Sequence, residues 1–156
     1  QTAVDYAALN VALHEEAKTQ ATFDVLPPGD SRRQSLLVLG GIFDRLVSAR
    51  RYDEIVAVRT FDQMNREFTL MAMERPAPPG IAPDRIDMMR QASRAHVISA
   101  AARDIEVLAG AGRLDEARAM AGKLFAYDTS PATRATVEER LARAGSPALL
   151  NDTGRP

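Results

Sequence analysis

The side chains able to do chemistry are few: two histidines, no cysteine, and serines and carboxylates spread along 156 residues. His14 is followed by Glu15 and Glu16, acids that could act as a base beside a metal. No second histidine stands four residues on, so the zinc-protease spacing is missing and His14 reads as part of a solvated helix face. His96 adjoins Val97 and reads as a packed or capping histidine, with a pH-sensitive contact as its functional alternative. Asp84 with Asp87, and Asp115 with Glu116, are the pairs that acid–base catalysis would use. Each pair falls at a helix start, where the macrodipole already favours acids. Ser31, Ser35, Ser48, Ser93, Ser99, Ser130 and Ser146 lack the G-x-S-x-G elbow, and two histidines offer few triad partners. Gly110-Ala111-Gly112 has neither a preceding strand nor the following lysine of a phosphate loop. Without cysteine there is no thiolate metal site, cysteine nucleophile or disulfide, and both redox compartments stay open. We therefore expect a chain that is not an enzyme, with no metal and no cofactor.

Two groups of residues suit recognition better than catalysis. Met64, Met71, Met73, Met88, Met89 and Met120 gather around the middle of the chain and could furnish an adaptable apolar surface, although helical spacing assigns most of them to the core. Arg32, Arg33, Arg45, Arg50, Arg51 and Arg59 form a dense basic group, but without the aromatic residues of a nucleic-acid platform. Twenty basic against 21 acidic residues leave a net charge of −1, which argues against nucleic acid or an anionic membrane surface as the main partner. Lys18 and Lys123 are the only lysines, and Arg with Ala enrichment is what a GC-rich genome produces. No apolar run approaches the roughly 20 residues that span a bilayer, so no membrane insertion is expected. A chain beginning at Gln1 is either truncated or a mature form whose leader has been removed. The expectation is an exported bacterial protein, periplasmic or secreted.

The elements that position these residues are helical. A first helix is expected from Thr2 to about Gln20, with Tyr6, Leu9, Leu13 and Ala17 on one face. Pro27, Pro28 and Gly29 break it in a loop over residues 22–30. Ser31 with Gln34 fits a capping box for a second helix carrying Leu36, Leu39, Phe43, Leu46 and Val47, with Gly40-Gly41 in its middle suggesting a close helix crossing. Asp53 and Glu54 open a third, whose buried side is Ile55, Val58, Phe61, Phe68 and Met71. The run from Arg75 to Pro83 holds four prolines and a glycine, which no helix or strand crosses. Beyond it, Asp84 caps a stretch with Ile86, Met89, Ser93, Val97, Ala100 and Ala101 at helical period, broken near Ser93 if ordinary helix lengths hold. The firmest element is the hairpin from Ser99 to Tyr127: Ala101, Ile105 and Leu108 on one helix, a glycine turn, then Leu114, Ala117, Ala121 and Leu124 on the next. Ser130 at the cap, Pro131 at the first helical position and Gly145 at the end bound a last helix that buries Val137 and Leu141. The expected class is all-α, about six helices as antiparallel helical hairpins, in one domain over 1–145 with a Pro-rich loop at 75–83 and a flexible tail at 146–156.

The run from Leu108 to Leu124, with Gly112, Leu114, Asp115, Glu116, Ala117 and Ala121, resembles the middle of a tetratricopeptide repeat. There a small residue ends one helix and a hydrophobic-Asp-Glu-Ala string begins the next. Tyr52-Asp53-Glu54-Ile55 echoes the turn earlier, with Arg50 in place of the glycine and Phe43 in place of a small residue; Asp104 stands where an apolar residue belongs. The resemblance covers about half the chain, and the spacing of the two turns exceeds the roughly 34-residue period of the family. It implies a non-catalytic scaffold binding a protein or peptide in a groove lined by the first helix of each hairpin. Asp44, Ser99, Arg103 and Glu106 are then the candidate contacts, because they lie off the expected buried stripes. The alternatives are a self-associating accessory domain of an exported complex, meeting its copy through the Gly40-Gly41 face or the methionines, and a small-molecule binder with its pocket between the two halves.

Overall fold

The computed structural model describes residues 15–39 and 41–152. Thr2, Tyr6, Leu9, Leu13, His14 and Gly40 lie outside them. Among the described residues the class is all-α, with eight helices, one 3-10 turn and no strand. The chain divides into two compact units at Arg59/Thr60. The Pro-rich stretch lies within the second unit rather than between the two.

In the first unit, the described part of α1 covers residues 15–25, so the helix runs past Gln20 and brings Phe23 into complete burial. α2 is Arg32–Leu39, and Asp30 rather than Ser31 serves its start: Asp30 Oδ1 accepts the Arg32 N–H at 2.9 Å. α3, Phe43–Ser48, is a separate helix, because Gly41 adopts φ +73° and ends the path of α2. A Cβ at Gly41 would meet nothing within 4 Å, so this glycine makes a turn and not the close crossing expected from its sequence position. α4 is Tyr52–Val58.

Phe23, Leu37, Ile42, Leu46 and Ile55 form the fully buried centre of this unit. Above Phe23 sits the buried guanidinium of Arg33, 4.0 Å from the ring centroid. Arg51 donates to Asp24 at 2.6 Å and to Glu54, and Arg33 approaches Glu54 at 3.4 Å, so one carboxylate joins α2 to α4. The Arg51 hydrogen bond holds the Glu54 carboxyl below its ordinary 4.5, with Arg33 adding to the effect. A depressed folded pKa gives stability that is present above 4.5 and lost as pH falls through the folded value. Acid titration followed by circular dichroism is expected to show this loss, with a shallower slope in Glu54→Gln; identical slopes would contradict it.

The second unit begins at a capping box. Thr60 Oγ1 accepts the Gln63 N–H, and Gln63 Oε1 accepts the Thr60 N–H at 3.0 Å. With Arg59 extended at φ −129°, α5 (Phe61–Ala72) is distinct from α4, although one hydrophobic period runs through both. α6, Pro83–Gly110, is one unbroken helix of 28 residues with Pro83 in its first turn. α7 is Leu114–Tyr127 and α8 is Pro131–Arg143. α6 is the shared partner, packing on α5, α7 and α8. At the α7–α8 junction Asp128 Oδ1 accepts the Ser130 N–H at 2.8 Å, which holds its carboxyl below the usual range, and Ser130 Oγ accepts the Thr133 N–H. The described part of the expected tail is packed: Leu149 and Leu150 are buried, and their 3-10 turn, Leu149–Asp152, contacts α7.

Three helix ends share one hydrogen-bond pattern. Gly112 N–H meets Ala109 O while Arg113 N–H reaches back to Leu108 O; Gly145 and Ser146 repeat this on Ala142 and Leu141, as do Arg50 and Arg51 on Val47 and Leu46. This is the Schellman arrangement, whose pivot residue needs a left-handed backbone. Gly112 and Gly145 take it at φ +78° and +79°, and Arg50 takes it at φ +58° with a side chain. Arg50→Gly is therefore expected to stabilise the first unit, and Gly112→Ala to destabilise the second, each by about 1 kcal/mol in urea melts. A destabilised Arg50→Gly would show that its exposed side chain contributes more than the backbone loses.

Candidate binding groove

The second unit is unevenly sheathed along α6. From Val97 through Ala109 the helix is mostly buried, including Ala100, Ala101, Ala102, Ile105, Val107 and Leu108. From Pro83 to His96 every residue is exposed except Ile86, which is half-buried. The change falls where Arg94 reaches across to α7: its guanidinium lies 4.5 Å from the Tyr127 ring centroid, donates to Tyr127 O at 2.6 Å and pairs with Asp128 at 3.3 Å. Phe68 of α5 meets the same tyrosine edge-on, with centroids 6.0 Å apart.

The uncovered part of α6 faces a groove of about 460 Å³. One wall is the end of α5, with Leu70, Met71 and Met73; the other is Ile86, Met89, Ser93 and Val97 of α6. Pro76, Ala77 and Pro78 of the connecting segment line it as well. The proline stretch cannot continue α5, so the chain leaves that helix and re-enters at Pro83, where a proline fits a helix start. Ile86, Met89, Ser93, His96 and Val97 recur at helical spacing and share a face. Leu70, Met73 and Met89 are 54%, 61% and 48% exposed, three of the six large apolar side chains that stand in water among the described residues. Their grouping in one concavity separates them from single exposed apolar residues, which need no special cause. Arg75, Arg90 and His96 are the ionisable groups of the lining.

The methionines thus divide differently from the expected core assignment. Met64 and Met120 are fully buried, whereas Met73, Met88 and Met89 are exposed and Met71 is half-buried. Of the predicted contacts, Asp44 is exposed on α3 of the first unit, beside Gln20, Arg45 and Ser48. Ser99 is exposed on α6 and Arg103 is half-buried. Glu106 departs from expectation: it is 1% exposed and its Oε1 accepts from Arg140 of α8 at 3.1 Å, so it is a packing residue and not a groove contact. The groove residues Leu70, Met73, Arg75, Met89 and Arg90 were missed as a site; the methionine cluster beside the prolines was the signal for it.

Among the described residues no group of three His, Asp or Glu could hold a metal ion, and no helix is long and apolar enough to cross a membrane. No protein-family model, curated protein or solved structure matches the chain.

Proposed function

We propose that the protein is a non-catalytic helical-hairpin scaffold that binds a protein or peptide segment, and that the methionine-lined groove of the second unit is its binding surface. The observation that carries this reading is the bare first half of α6, whose apolar stripe faces an open concavity instead of a packing partner. Methionine suits such a surface, because its unbranched, polarizable side chain adapts to varied apolar shapes. An apolar groove bounded by two helices matches the helix-in-groove mode of recognition, in which a partner inserts residues spaced i, i+3, i+4 and i+7. α6 is also the first helix of the hairpin that resembles a tetratricopeptide repeat, the helix that faces the groove in that family.

The test is fluorescence anisotropy with a labelled amphipathic peptide carrying leucines at that spacing. Met89→Glu places a charge among the apolar contacts and is expected to weaken capture by on the order of tenfold or more. Asp44→Ala and Ser99→Ala are expected to leave it unchanged. Binding that survives Met89→Glu and fails in Asp44→Ala or Ser99→Ala would move the surface back to the positions first read from the sequence.

A further inference from the structure

The groove carries charge of one sign. Arg75 and Arg90 line it together with His96, and no carboxylate does. Among the described residues neither guanidinium has an ion-pair partner, although arginines elsewhere in the second unit do: Arg94 with Asp128, Arg113 with Glu116 and Arg140 with Glu106. The nearest acids in sequence are Glu74, Asp84 and Asp87. On α6 the helical period sets Asp84 and Asp87 away from the face shared by Ile86, Met89, Ser93 and Val97, and Glu74 is not in the lining. Arg90 lies on the edge of that face and Arg75 follows the end of α5, so each wall carries a cation beside the apolar lining.

We infer that the groove selects an acidic amphipathic helix: apolar residues enter between Met73 and Met89, and glutamates or aspartates flanking them meet Arg75 and Arg90. This rests on the binding reading above and adds the chemistry of the partner. Arginine is suited to the role because its planar fork engages a carboxylate through two donors while its stem lies along apolar surface. The uncovered stretch from Pro83 to His96 would rise about 20 Å, enough to receive three or four turns of a partner helix. The two charges contribute specificity more than affinity, since part-exposed pairs are worth about 0.2–1 kcal/mol each.

The experiment titrates the full chain against two synthetic peptides of about 16 residues, labelled with a neutral dye, with identical leucine anchors and either Glu or Lys at the flanking positions. The Glu peptide is expected to bind on the order of tenfold tighter in low salt, with the difference shrinking as salt rises. The double variant Arg75→Glu, Arg90→Glu is expected to reverse the preference while keeping its helical circular dichroism and melting temperature; both side chains are exposed, so the fold does not depend on them. Equal binding of the two peptides, abolished by Met89→Glu but indifferent to the double variant, overturns the inference and leaves the groove reading intact. Failure of both peptides to bind the folded protein overturns both. Laurate bound one to one in the groove with neither peptide captured, or a dimer broken by Met89→Glu, would identify a different occupant and likewise overturn the inference.

Discussion

Glu106→Ala is expected to destabilise the second unit by about 3–5 kcal/mol, a large part of the stability available to a domain of this size. The carboxylate is 1% exposed and Arg140 is its partner across the α6–α8 contact at 3.1 Å. Removing it leaves the partly buried guanidinium of Arg140 without that acceptor and opens a void where the Glu106 stem packs. Glu106→Gln keeps the shape and an acceptor oxygen and is expected to lose about half as much. Urea denaturation followed by circular dichroism measures both, and a loss below about 1 kcal/mol for the alanine variant would show that the pair is dispensable. One consequence is practical: a Glu106→Ala protein that fails to capture a partner reports on folding before it reports on recognition.

Phe23→Ala is expected to have a comparable effect in the first unit. The ring is completely buried, and the guanidiniums of Arg33 and Arg51 stand 4.0 and 5.9 Å from its centroid. Phe-to-Ala changes in well-packed cores cost about 3–5 kcal/mol. Here the cost falls on a small core, and the buried Arg33 loses the π face it covers. Hydrogen exchange should then show loss of protection over α1 to α4. Phe23→Leu restores most of the volume without the ring, so the loss that remains in it relative to the native chain contains the cation–π part, about 1–2 kcal/mol, while the difference between the two variants measures the refilled volume. If Phe23→Leu is as damaging as Phe23→Ala, the aromatic face matters more than the volume it fills.

Much of the local structure was legible because it depends on near neighbours along the chain. Ser130-Pro131 and Gly145 bounded α8, and Gly112 marked the hairpin turn, since each satisfies a backbone requirement within a few residues. Other local signals pointed differently. Thr60 and Gln63 form the capping box that divides α4 from α5, yet the hydrophobic period runs through the division and conceals it. Arg50 sits at a left-handed pivot that favours glycine, and only the surrounding Schellman bonds explain it.

The site was the harder part. Ile86, Met89, Ser93 and Val97 read as the continuation of a buried stripe, and as a periodicity that reading is sound: they do share one face of α6. Periodicity tells which face is apolar, whereas burial depends on what lies over that face. Val97 is covered and Met89 is not, because the prolines turn the chain away from α5 and the sheath of α6 stops at the Arg94–Tyr127 contact. Glu106 fails in the opposite sense. A glutamate off the apolar stripe reads as solvent-facing, but Arg140, 34 residues later, reaches it when α8 packs on α6. By itself, then, the sequence determined the all-α class, the glycine turn of the hairpin and the bounds of α8, through hydrogen bonds and backbone sterics that span a few residues. Tertiary structure alone decided which apolar and charged faces are covered, because the atoms that cover them come from distant parts of the chain.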